Sequence, residues 1–126
     1  MAKPRDDRGS AVVEFVFVAP LVVLLALAVL QVALLVHTRA ILTAAAADGA
    51  RAAALAGNDS AAGARRTELM LGRNVGALAH RVSAHRDVID GLDVMTVRID
   101  AEVGLIGILG WTDMSVEGHA LVESFQ

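Results

Sequence analysis

Gly9 is followed by Ser10 and, five residues after the glycine, by Glu14, in the run Arg8-Gly9-Ser10-Ala11-Val12-Val13-Glu14-Phe15. The glutamate stands at the edge of an apolar stretch, where an ionisable group is costly and by default functional. Cutting the peptide bond after Gly9 would give Ser10 a cationic α-amino group about one helical turn from that carboxylate. A carboxylate carried into a bilayer is tolerated when it is paired. The partner could be the amine of its own chain or, at similar reach, the amine of a neighbouring rod. Pairing between rods would set the axial register of one subunit against the next. The alternative is that Glu14 rests in the headgroup layer beside Arg8.

Other residues with chemical capacity form no site. The four histidines are His37, His80, His85 and His119. His80 and His85 are five apart, which points them to different faces of a helix, and no acid completes a zinc-ligand spacing. Solvated histidines and no metal are the expectation. The run from Asp87 to Asp93 lacks the one–three–five ligand pattern of a calcium loop, and reads as a turn leading into a strand. The chain has no cysteine, which removes disulfides, thiolate metal sites and a thiol nucleophile. No nucleophile elbow or phosphate loop is present. An enzyme is therefore not expected, nor a cofactor, nor a small-molecule substrate. A net charge of −3 argues against nucleic acid as a partner, which needs a concentrated basic face.

The element that must carry Glu14 is the apolar run. Apolar residues make up 56% of the chain, above the usual ~45–50%, and the excess is concentrated. From Phe15 to Val36, 22 consecutive residues carry no charge. As a helix they span ~33 Å, enough for a ~30 Å hydrocarbon layer, so membrane lipid is an expected partner. The run exceeds the ~7–15 apolar residues of a cleaved secretory signal. Lys3, Arg5 and Arg8 precede it, while Arg39 and Arg51 follow more sparsely, which favours a cytoplasmic N-terminus. Pro20, inside the span, removes one backbone hydrogen bond and kinks the helix, although proline is also simply tolerated in membrane helices. Gln31, near the outer end, could bond a neighbouring helix or sit at the interface.

Beyond the membrane, residues 37–56 contain no proline and are dominated by alanine, the best helix former, so a helical stem continues the span. Gly57-Asn58-Asp59-Ser60 supplies a stop and a new cap. Ala45, Gly49, Ala53 and Gly57 recur every four residues, a stripe that admits another backbone closely. Eleven of the fourteen residues from Ala44 to Gly57 are small, so packing is implied but its register is not. Asp48 and Arg51 are spaced to pair on the stem surface. A second helix is expected within 60–86, on Leu69, Met70, Val75, Leu78 and Val82, weakened by Gly63, Gly72 and Gly76. The period then changes to two. Val97, Ile99, Ala101 and Val103 alternate with polar residues, and Met114, Val116, Gly118, Ala120 and Val122 alternate with Ser115, Glu117, His119 and Leu121, which describes two strands around a glycine-punctuated apolar loop at 104–111. Such a hairpin needs a helical partner to be stable.

The run from Arg8 to Phe15, followed by Val16-Phe17-Val18-Ala19-Pro20-Leu21, resembles the prepilin-type (class III) leader of the TadE-like pseudopilins of the tight-adherence (Flp) pilus system. Ala46-Ala47-Asp48-Gly49-Ala50-Arg51-Ala52-Ala53 is similar to the family's post-membrane A-E-G-A-R-x-A stretch, with Asp48 in place of the glutamate. Gly118-His119-Ala120-Leu121-Val122-Glu123 resembles its G-H-A-x-x-E ending, while the loop at 104–111 lacks the proline often found there. The resemblance implies that a prepilin peptidase cuts between Gly9 and Ser10 on the cytoplasmic side. It also implies that other pilins and pseudopilins are the partners, with Glu14 acting in register.

The expected architecture is thus α+β and pilin-like. Residues 1–9 form a cytoplasmic leader, 10–38 a transmembrane helix, and 39–126 an extracytoplasmic domain of stem, second helix and C-terminal antiparallel β-hairpin. The expected location is a bacterial cell membrane, crossed once. The competing expectation is an uncleaved signal-anchored protein whose outer segment is a small binding domain.

Overall fold

A computed structural model describes residues 7–57, 59–75, 79–105 and 110–122. Leader residues 1–6, Asn58, Gly76, Leu78, residues 106–109 and Glu123 lie outside the described residues. The chain forms two compact units, residues 1–34 and 35–126. Helix α1 (Asp7–Leu55) begins in the first and ends in the second.

The first unit is helical throughout its described part and apolar on every side. Val12, Phe15, Phe17, Leu21 and Leu24 are all exposed, and no residue in the most apolar window is buried. A helix that is apolar all round needs an apolar surrounding. This one is long and apolar enough to cross a membrane, which fits a single-pass membrane protein.

In the second unit the same helix becomes one-sided. Leu42, Ala45, Ala46, Gly49, Ala50 and Ala53 are buried, a three-and-four spacing that faces a core. Gly57, at φ +72°, follows the helix, the left-handed backbone that glycine adopts without a side-chain clash. Helix α2 (Ser60–Asn74) is capped by Asp59, whose carboxylate accepts from the Ala61 N–H at 3.0 Å. Strands β1 (His80–Ile89), β2 (Leu92–Gly104) and β3 (Trp111–Leu121) form an antiparallel sheet in that order. Asp90 and Gly91, both at positive φ, make the two-residue turn between β1 and β2, the aspartate–glycine pair that such a hairpin favours. The Arg86–Asp93 ion pair spans it. The acidic run at 87–93 thus contains the expected turn at Asp90–Gly91, while residues 87–89 end β1 and Leu92 and Asp93 begin β2.

The two alternating strands are β2 and β3, paired Val97 to Gly118 and Ile99 to Val116. Their apolar residues join Leu42, Ala45, Ala46, Ala50 and Leu71 in one core. Two expectations need correction. The second helix ends at Asn74, and Val82, assigned to it from the spacing, lies in β1. The hairpin is accompanied by this third strand, which the sequence reading missed. β1 is an edge strand whose inward apolar residues packed on the core are Val82 and Ala84, too few to announce a two-residue period.

The opposite face of the sheet is a polar ladder. Across the three strands, Arg81 aligns with Asp100 and Ser115, Ser83 with Arg98 and Glu117, and His85 with Thr96 and His119. The Ser115 hydroxyl donates to Asp100, and Arg98 Nε lies 3.2 Å from the same carboxylate. The serine bond first, and Arg98 with it, hold the Asp100 carboxyl below its ordinary range.

Packing and charge each generate a test. A Cβ on Gly118 would stand 2.3 Å from the Ala46 carbonyl carbon and 2.4 Å from the Ala47 nitrogen. Because both are backbone atoms, Gly118→Ala should cost about 2–3 kcal/mol, the upper part of the overpacking range. Gly72→Ala, in open space within α2, should gain about 0.5–1 kcal/mol. Denaturant midpoints of the detergent-solubilised full chain check both. The Asp100 carboxyl carbon, followed by NMR, should titrate below an ordinary aspartate, and Ser115→Ala should raise its midpoint. Since the folded value is depressed, the contribution of this group is present at neutral pH and is lost as pH falls through the folded pKa.

Candidate assembly segment

Gly9, Ser10 and the Glu14 carboxylate lie on one helix. Gly9 and Ser10 fall in the first turn of α1, where the backbone N–H groups have no intrahelical acceptor. This turn is the least costly part of the helix to open. Gly9 is exposed, and a Cβ there would meet nothing within 4 Å. The side-chain position of Gly9 therefore faces open space. Ser10 and Glu14, four apart, share a helix face, and both are exposed.

Shortening the helix to begin at Ser10 changes its electrostatics. The new α-amino cation would sit at the positive end of the helix dipole, where a cation is unfavourable. A carboxylate one turn further in offsets that charge. In a chain shortened in this way, Glu14 would have an electrostatic reason to face the terminus. Pro20, six residues beyond Glu14, is inside α1. It has no N–H to give the Val16 carbonyl, so the backbone ladder is interrupted soon after the carboxylate.

The stem residues divide in role. Gly49 is buried at the crossing of α1 and α2: its Cβ would stand 1.8 Å from Thr67 Oγ1 and 2.9 Å from the Gly63 carbonyl oxygen. Gly63 reciprocates, since its Cβ would stand 2.6 Å from Ala53 Cβ and 2.8 Å from the Gly49 carbonyl oxygen. The small-residue stripe therefore has a definite register, Ala45-Gly49-Ala53, with α2 against Gly49 and Ala53. Asp48 does not use Arg51 as its partner. Its carboxylate accepts from Arg66 Nε of α2 at 2.8 Å, and Arg51 is exposed on the stem. A neighbouring helix presents the guanidinium more directly than the adjacent turn does.

The sequence reading missed Gly63, Thr67 and Gly118 as packing residues. Gly63 counted there against a helix, yet its lack of a side chain is what lets α2 approach the stem. Thr67, fully buried, donates its hydroxyl to the Gly63 carbonyl oxygen at 2.9 Å. A small-residue pair four apart in α2, opposite the stem's own stripe, was the available signal.

The histidines are dispersed. His80 is not solvated as expected: its side chain is 15% exposed, with Nε2 2.8 Å from the Glu68 carboxylate. His119 bonds Thr96, while His37 and His85 are exposed. Among the described residues no group of three or more acids and histidines gathers to hold a metal.

Comparison with known proteins bears on this same segment. Residues 9–51, from the glycine of the leader through the Gly49 crossing, match the family model of TadE-like proteins. No curated protein and no solved structure matches the chain. The likeness to TadE-like proteins thus covers residues 9–51, about a third of the chain, and takes in the membrane-length part of α1 and the start of the stem.

Proposed function

We propose that the chain is a minor pilin or pseudopilin of a tight-adherence pilus system. A prepilin peptidase cuts it between Gly9 and Ser10 on the cytoplasmic face. The mature subunit stays anchored by α1 until it is drawn into, or initiates, the pilus assembly. It acts by assembly and catalyses nothing itself. Its partners are the peptidase, membrane lipid and the other pilins and pseudopilins of the system, and residues 39–126 stand outside the cytoplasm.

The observation that carries this reading is the coincidence of the family match with an exposed glycine and an exposed carboxylate four residues beyond the new terminus. As the subunit leaves the lipid, Glu14 passes into a packed helical environment. It is tolerated there only in a pair, with its own Ser10 amine or that of the adjacent subunit. The latter choice fixes axial position.

Intact mass of the protein from membranes of a piliated cell tests the cut. The expected species begins at Ser10, whereas retention of Met1–Gly9 supports the uncleaved anchor with an outer binding domain. Gly9→Val should accumulate the uncut chain, because a branched side chain then occupies the scissile position. Glu14→Ala should still be cut but should enter the assembly at least tenfold less, since removing one member of a buried pair costs about 3–5 kcal/mol. Quantifying mature subunit in the sheared pilus fraction against the membrane fraction reads that ratio, and normal incorporation of Glu14→Ala removes the register role.

A further inference from the structure

The sheet has two edges, β1 and β3, with no strand beyond either among the described residues. Both run in the same direction, because each is antiparallel to β2. Such edges are templates for pairing unless something blunts them. We propose that β3 of one copy of this chain pairs in parallel with β1 of a second copy, with Asp113 opposite Arg81.

The residues on the polar face of the two strands carry the register. Setting 113 against 81 brings Ser115 to Ser83, Glu117 to His85, His119 to Asp87 and Leu121 to Ile89. Every charged or ionisable residue in this alignment meets a complementary one, and the serines meet each other. The last pair joins two apolar side chains that are exposed in the single chain, Ile89 at 39% and Leu121 at 61%. The two strands, ten and eleven residues long, overlap along their whole length. Sliding by two residues spoils the match: in one direction Asp87 faces Glu117, and in the other His85 faces His119 while Asp87 faces Leu121. Arg81, His85 and Asp113 enter no ion pair among the described residues, so they are available to the neighbour.

The helical layer permits the extension. Within one copy α2 lies against β1, and the stem of α1 lies on β3 at Gly118. Adding a second β1 beside β3 places the second α2 beside the first stem, so both layers continue. The contact is head-to-tail, using different surfaces on the two copies, and therefore builds an open row instead of a closed pair. With about 20–25° of twist per strand, each three-strand copy turns relative to the last, which is screw symmetry. The inference does not rest on the leader cut and can fail or stand independently of it.

The test uses the full-length chain in its native membrane. Because the protein lacks cysteine, the double variant Arg81→Cys/Asp113→Cys carries the only thiols. Within one copy these positions lie two strand spacings apart, about 9–10 Å across the sheet, and two residues out of register along it, beyond disulfide reach, so any disulfide joins two copies. Mild oxidation should give a ladder of dimers and higher multiples. Arg81→Cys/Ser115→Cys, displaced by two residues, should give at least fivefold less. As a charge test, Asp113→Arg should lower crosslinking of a Ser83→Cys/Ser115→Cys reporter at least fivefold, and adding Arg81→Asp should restore it. Hydrogen exchange on the unsubstituted chain should show β3 amide protection rising with protein concentration. Absence of the ladder, equal yield from the displaced pair, or concentration-independent β3 exchange overturns the proposal.

Discussion

The second unit depends on how closely backbones approach the stem. Two elements meet α1 with almost no side chain between them: α2 at Gly49 and Gly63, and β3 at Gly118 over Ala46 and Ala47. Dispersion contacts are individually weak and need close-packed atoms. A small core can gather many of them only if its elements come very near. The composition serves that end, because an alanine-rich stem has a slim cross-section and high helix propensity. The larger core residues, Leu42, Leu71, Met95, Val97 and Ile99, then fill the space left around the crossings.

The same helix meets two different requirements along its length. Before residue 34 it is apolar on every face and unburied. Beyond it, burial settles onto one stripe, and Arg39, Thr43 and Arg51 are exposed. Helical geometry is indifferent to this change, since the backbone hydrogen bonds are satisfied within the segment in lipid or in water. What changes is the side-chain chemistry around it. The unit boundary therefore falls inside an unbroken element.

Much of this was legible from residue order. The all-round apolar run, the Gly57 stop, a cap within residues 58–60 and the two alternating strands each carry a local physical signature, and the structure selects Asp59 as the cap. β1 was not legible because an edge strand buries little: Val82 and Ala84 are the apolar side chains it lends the core. The register of the stem stripe was hidden by excess, since nearly every residue there is small. The partner of Asp48 was hidden for a related reason. Arg66 is eighteen residues away, and only the glycine crossing brings it within reach. Gly9, Ser10 and Glu14, by contrast, stand out in sequence, and the structure adds that Ser10 and Glu14 share an exposed helix face.

In the assembly proposed above, Glu14 and the ladder on the sheet would solve one problem at two depths. Charges on the ladder are at least partly exposed, where isolated ion pairs contribute little, so their value lies in choosing an alignment and rejecting its neighbours. Arg98, between Asp100 and Glu117, illustrates this within the chain, since it ties adjacent strands at one register. A charge within an apolar assembly is governed by a stricter rule, because leaving it unpaired costs far more than pairing it gains. In the proposed assembly a single carboxylate would suffice to fix axial position, where the surface would need a row of alternating partners. The distribution of charge follows that difference in dielectric: from Ala11 to Val36 the acid at position 14 stands alone, while charges recur through the strands of the second unit.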